Sequence, residues 1–162
     1  MPAATAASTT AINWLTDDEQ RAWRAVLRMQ TVLSNQLDRD LVERSGISDG
    51  DYSVLVALSE APTGRLRSFE LGRATQWEKS RLSHHLTRMQ KRGLIAREDC
   101  PTDARGAYVV LTADGRTTIR NAAPQHVASV RRYFVDILSP AQLAAMTDAA
   151  NSVIAAVEAS EQ

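Results

Sequence analysis

The sequence predicts a mainly α-helical chain with one small β-hairpin, in the order α-α-α-α-β-β-α-α. Apolar residues recur at helical spacing over most of its length. Only the stretch from Leu94 to Leu111 departs from that rhythm, with two short runs of branched residues around turn chemistry. With two Phe, three Tyr and three Trp in 162 residues, the core must come from Leu, Val, Ile and Ala, a composition that leans towards helix.

The first eleven residues, small and polar, lack the basic and apolar regions of a signal peptide and are expected to form a disordered tail, extending to residue 15. Thr16 and Glu19 then form a capping-box pair, with Asp17 and Asp18 at the positive end of the helix dipole. Trp23, Val26, Leu27, Leu33, Leu37 and Leu41 keep helical spacing until Ser45-Gly46. This helix is far longer than the usual mean of about 11–12 residues, so it should span a domain or meet a partner.

A second helix begins at Ser48, carries Tyr52, Val54, Leu55 and Leu58, and closes at Ala61-Pro62-Thr63-Gly64. A short helix from Ser68 to about Thr75 follows, anchored by Phe69 and Leu71. The next starts near Trp77 and ends at Gly93, a C′ glycine after Lys91 and Arg92. Leu94–Glu98 and Ala107–Leu111 read as strands around a long polar tip, Cys100 to Gly106. Thr112 opens a helix to about Leu138. Ser139 and Gln142 cap a last, alanine-rich helix with Pro140 at its first position.

Charge narrows the function. The net charge is zero, yet from Arg65 to Arg132 there are fourteen Lys or Arg against six Asp or Glu. A basic middle between acidic ends points to nucleic acid. No apolar run approaches the roughly 18–20 residues that cross a bilayer, so a cytoplasmic, nucleoid-associated protein is expected. The single Cys100 excludes an intramolecular disulfide and a Cys-rich zinc module. There is no Gly-rich phosphate loop, HExxH pair or GxSxG elbow to suggest an enzyme. No cofactor is expected.

Two short helices followed by a hairpin with a basic tip make a winged helix-turn-helix, whose second helix suits the major groove. On the helix WEKSRLSHHLTRMQKRG, Leu82, Leu86 and Met89 share a narrow packed face. Trp77, Ser80, His84, Thr87, Arg88 and Lys91 lie opposite, flanked by Arg81 and Ser83. His85 is expected at the edge of the packed face. Adjacent His84 and His85 point about 100° apart and cannot share one metal ion, so no metal site is expected. Trp77 either wedges against the DNA backbone or covers the junction of the two helices.

The chain resembles the MarR (multiple antibiotic resistance regulator) family over about residues 16–158. The strongest match is DARGAYVVLT, in which Asp103, Arg105, Val109, Leu111 and Thr112 fit the family's wing pattern. The preceding SRLSHHLTRMQKRGLI resembles its recognition helix. The resemblance implies a homodimer built from residues 16–47 and 113–158, with a DNA-binding domain at 48–112 reading a pseudo-palindrome in double-stranded DNA. It implies that Arg105 enters the minor groove and that Asp103 orients it. Ser68, Trp77, Ser80, Arg81, Ser83, His84, Thr87 and Arg88 complete the expected DNA-binding set. It also implies a small aromatic or lipophilic effector between the dimerisation region and the winged domain. There Trp23, Tyr52 and His126 either line a pocket or simply pack in the core. The expected function is transcriptional regulation, most simply repression. A winged-helix protein-interaction module and a redox-responsive regulator are the alternatives. Glu98 and Asp99 beside Cys100 would not lower a thiol pKa, which favours a plain strand-end cysteine.

Overall fold

The computed structural model describes residues 12–99 and 107–160. Helix α1 (Asp17–Ser45) starts at the expected capping box: Glu19 Oε2 accepts from the Thr16 N–H at 2.7 Å, and Thr16 Oγ1 accepts from the Glu19 N–H at 3.3 Å. The chain forms two compact units that divide within this helix, one ending at Val32 and the other beginning at Leu33. In the N-terminal unit Trp23, Val26, Leu27, Met29 and Val32 are exposed. In the second unit α1 buries Leu41 and Asp40, and Gly46 ends it at φ +65°.

Helix α2 (Asp49–Glu60) is capped reciprocally. Ser48 Oγ accepts from the Asp51 N–H at 3.2 Å, and Asp51 Oδ2 accepts from the Ser48 N–H at 3.1 Å. Its Val54, Leu55 and Leu58 are fully buried. Strand β1 (Arg65–Arg67) comes next, and the sequence reading did not anticipate it. Three residues are too short a run for alternation to mark a strand; it exists because Leu66 pairs opposite Val109 on a partner strand far along the chain.

Helix α3 (Ser68–Thr75) and helix α4 (Lys79–Lys91) form the helix-turn-helix. Gln76 turns the chain between them at φ +55°, and its Nε2 donates to the Arg73 carbonyl at 2.9 Å. Gly93, at φ +74°, follows α4 as expected. Strands β2 (Ile95–Asp99) and β3 (Ala107–Leu111) are the expected hairpin, in antiparallel register from Ile95↔Leu111 to Asp99↔Ala107. The sheet order is β1-β3-β2, so the hairpin becomes a three-stranded sheet.

Helix α5 (Ala113–Tyr133) is capped by Thr112, whose Oγ1 accepts from the Gly115 N–H at 3.0 Å. It stops five residues earlier than expected: Phe134 leaves helical geometry and a single 3₁₀ turn, Val135–Ile137, replaces the last turn. Helix α6 (Pro140–Ser160) begins with reciprocal Ser139–Gln142 hydrogen bonds of 2.9 and 3.2 Å and has no buried residue.

The core of the second unit lies under the winged domain. Leu55, Leu58, Leu71, Leu86, Met89, Ile95 and Val109 are its largest fully enclosed side chains, with Leu41, Ile119 and Ala122 joining from α1 and α5. Asp40 is pinned there by a 2.5 Å bond from Ser129 Oγ and a 2.8 Å bond from Gln36 Nε2. The Ser129 bond holds the Asp40 carboxyl below the usual carboxylate range, against the opposing effect of burial. Among the described residues no helix is long and apolar enough to cross a membrane.

Candidate nucleic-acid interface

Helix α4 is amphipathic in the expected sense. Leu82, Leu86 and Met89 are buried, while Ser80, Arg81, Ser83, His84, Thr87, Arg88 and Lys91 are exposed. Ser68, the first residue of α3, is also exposed. Thr87 Oγ1 donates to the Ser83 carbonyl at 2.9 Å and accepts a long contact from Arg97 Nη2 at 3.4 Å. Asp103 and Arg105, the wing-tip pair, lie outside the described residues, as does Cys100.

Trp77 is half-buried and packs on the core. Its ring meets His85 edge-on at 5.0 Å, and the Arg81 guanidinium lies 4.4 Å from its centroid, within cation–π distance. The tryptophan thus covers the helix junction and carries an exposed cation on its own outer face.

His85 is buried rather than at an edge, and four other residues explain it. Asp51 on α2 accepts a 2.5 Å bond from Arg92 Nη1, and Arg92 Nη2 donates to the Gly46 carbonyl at 2.8 Å. His85 Nε2 stands 3.0 Å from Asp51 Oδ1, too oblique for a well-formed hydrogen bond, so that contact is electrostatic. On the other side of the ring, Nδ1 lies 2.9 Å from Arg88 Nη2. Arginine has only donors, so Nδ1 accepts and the neutral ring carries its proton on Nε2, facing Asp51. Burial lowers the His85 pKa, with Arg88 and Arg81 adding to that against the pull of Asp51. Burial raises the Asp51 carboxyl, but the Arg92 and Ser48 hydrogen bonds and the Arg92 charge carry it below its usual range. His85 falls three residues after Leu82, so helical spacing places it on the packed face; its polarity hid it there.

The sequence reading also missed the cations around the recognition helix. A groove of about 770 Å³ between α3, α4 and the wing stem is lined by Arg67, Arg73, Lys79 and Arg97, with Ser68, Phe69, Trp77 and Ser83. Arg97 reaches from β2 to the Ser83 carbonyl and Thr87 Oγ1 at 3.5 and 3.4 Å, long contacts that keep its charge beside α4. Tyr108 on β3 is bracketed by the guanidinium groups of Arg65 and Arg67 at 4.7 and 5.4 Å. The only signal for these residues was the +8 balance of the segment, which gave no partners.

A second cavity, of about 560 Å³, opens between α2 and α5 and brings Tyr52 and His126 together, with Asp49, Val56, Glu60 and Leu66 also in its wall. The two rings lie 4.3 Å apart at 39°. His126 Nδ1 is buried without a hydrogen-bond partner, and burial lowers the pKa of this histidine. Tyr52 is raised by burial and by nearby Glu60. Trp23 belongs to the N-terminal unit, where it is exposed.

Against known proteins, the family model described as MarR family matches residues 45–106. AbsC, a MarR family transcriptional regulator from Streptomyces coelicolor, is 44% identical; the match covers 91% of this chain and 99% of that one, with a TM-score of 0.86. The chain belongs to the MarR family. A second MarR family regulator from that organism, Sco3205, whose structure is in complex with DNA, is 38% identical over 90% of this chain and 91% of that one, at a TM-score of 0.85. An uncharacterized HTH-type transcriptional regulator of Bacillus cereus is 26% identical over 72% of this chain and 76% of its own length. As a MarR-family protein the chain is a DNA-binding transcriptional regulator, not an enzyme, built on a winged helix-turn-helix with accessory helices.

Proposed function

We propose that the chain acts as a homodimeric repressor that reads a pseudo-palindromic operator with α4 and the wing. A small aromatic or lipophilic effector in the Tyr52–His126 cavity weakens that binding. The observation behind the DNA reading is the division of α4: Leu82, His85, Leu86 and Met89 are buried, and its exposed positions are hydroxyls, His84, Gln90 and cations. Such a face suits base edges and phosphates in a major groove. Ser80, Arg81, Ser83, His84, Thr87 and Arg88 take that role. Ser68 sits at the mouth of the basic groove, Trp77 acts through Arg81, and Arg105, oriented by Asp103, reaches the minor groove.

Residues 16–47 and 113–158 form the dimerisation region and 48–112 the DNA-binding domain. The support is the apolar surface of the long helices. Val153, Ile154 and Val157 are exposed on α6, and Trp23, Val26 and Leu27 on α1. Helices draw most of their stability from burying such a face. A closed twofold dimer supplies the cover. A DNA regulator of this kind works in the cytoplasm, on the nucleoid.

The test is binding of operator and non-operator duplexes over a salt series. Arg81→Ala and His84→Ala should each reduce discrimination by about 1–3 kcal/mol if they contact bases. Arg105→Ala should lower affinity for both duplexes and flatten the salt slope by about one unit per phosphate charge lost. Unchanged affinity and slope in Arg105→Ala would remove the wing from the account.

A further inference from the structure

We propose that His85 is a positioning residue for DNA readout, holding the guanidinium of Arg88 directly and that of Arg81 through Trp77. The inference rests on the reading of α4 as the DNA-facing helix. Arg88 and Arg81 are exposed, flexible cations whose value in readout depends on geometry. One buried ring fixes both. Its Nδ1 accepts from Arg88 Nη2 at 2.9 Å, and its edge seats Trp77, on whose face Arg81 rests at 4.4 Å. The ring is itself held from α2: Asp51 Oδ1 faces Nε2 at 3.0 Å, and a Cβ added at Gly50 would lie 2.9 Å from both His85 Cε1 and the Trp77 ring. The charged groups around the imidazole are therefore Asp51 on α2, itself paired with Arg92, and Arg81 and Arg88 on α4.

This arrangement works in one protonation state. A neutral ring offers Nδ1 as an acceptor to Arg88. A protonated ring turns Nδ1 into a donor and places a positive charge against two others. Operator discrimination should therefore be intact at neutral pH and fall as His85 takes up a proton.

Three substitutions separate positioning from packing. His85→Asn keeps an acceptor on Cγ, where Nδ1 stands, but does not titrate. His85→Gln keeps a polar group at the Nε2 position and loses the acceptor near Arg88. His85→Leu keeps apolar bulk alone. The readout is the ratio of operator to non-operator affinity from pH 8 to pH 5, with thermal stability measured alongside. The expected result is a ratio lowered about tenfold at neutral pH in the Gln and Leu variants, comparable to Arg88→Ala, and restored by Asn. The wild-type ratio should fall with acid while the Asn ratio does not, a comparison that holds even if the Leu variant fails to fold. Gln and Leu ratios equal to wild type beside a lowered Arg88→Ala ratio would overturn the proposal and leave the DNA-facing role of α4 standing. An unaltered ratio in Arg88→Ala would overturn the proposal, and unaltered ratios in Arg81→Ala and His84→Ala as well would overturn the DNA-facing role of α4.

Discussion

His126 is the side chain whose surroundings ask most plainly for a ligand. The residue lines a cavity, with the Tyr52 ring tilted at 39° and 4.3 Å away, and its Nδ1 is buried without a partner. An unmet polar atom of that kind costs about 1–3 kcal/mol, which a ligand hydroxyl recovers once the ring turns Nδ1 into the cavity. The neutral ring fits this role because burial lowers its pKa. A phenolic effector should bind wild type at neutral pH and release operator DNA. It should bind poorly in His126→Phe, and its affinity should decline in acid as pH falls through the lowered pKa of the ring, since a protonated ring no longer accepts. Titration of ligand-induced operator release over pH tests this, and equal release by His126→Phe would place the effector elsewhere. The sign for stability is the same. A histidine with a depressed folded-state pKa contributes fully above the unfolded value and loses that contribution as acid carries it through the folded one. His85 and His126 should both weaken the fold on the acid side.

The elements divide into those the sequence announces and those that only the assembled fold explains. The Thr16–Glu19 capping box, the helix starts at Ser48 and Thr112 and the glycine after α4 are local chemistry, and the structure has each boundary where they mark it. Strand β1 carries no such signal, because Arg65–Arg67 is a strand only by pairing with β3. The left-handed turn at Gln76 is equally silent, since a non-glycine there gives no sequence cue. At the interface the outward residues of α4 followed from periodicity, whereas the His85 network required contacts spanning 41 residues, from Asp51 to Arg92. Helix α2 serves both sites, with Tyr52 in the cavity wall and its neighbour Asp51 against the recognition helix. The junction of wing and α5 is the tightest point among the described glycines. A Cβ on Gly115 would lie 2.0 Å from the Leu94 carbonyl oxygen, a backbone atom that also lies 2.9 Å from Thr112 Oγ1. Gly115→Ala should destabilise the protein by about 3 kcal/mol, the upper part of the range for overpacking. Gly46→Ala, where the new methyl meets nothing within 4 Å, should cost only the left-handed backbone penalty of about 1 kcal/mol. Urea unfolding of the pair checks this ordering, and equal midpoints would refute the steric argument.

The molecule as a whole keeps its charge and its apolar surface in different places. The basic excess lies between Arg65 and Arg132, along the sheet, α3, α4 and α5, while α6, without Lys or Arg, exposes apolar residues and buries none. One surface suits a polyanion and the other suits a second copy of the chain. Twofold symmetry would then present two recognition helices to one face of the duplex, with centres about one helical turn, roughly 10 base pairs, apart or a multiple of it. The most direct measurement is a hydroxyl-radical footprint, with protein-to-DNA stoichiometry, on fragments selected from genomic DNA. The account predicts a pseudo-palindromic site, two protected half-sites in successive major grooves on one face, and two chains per site. A single protected half-site bound by one chain, or selection that recovers no common sequence, would contradict it.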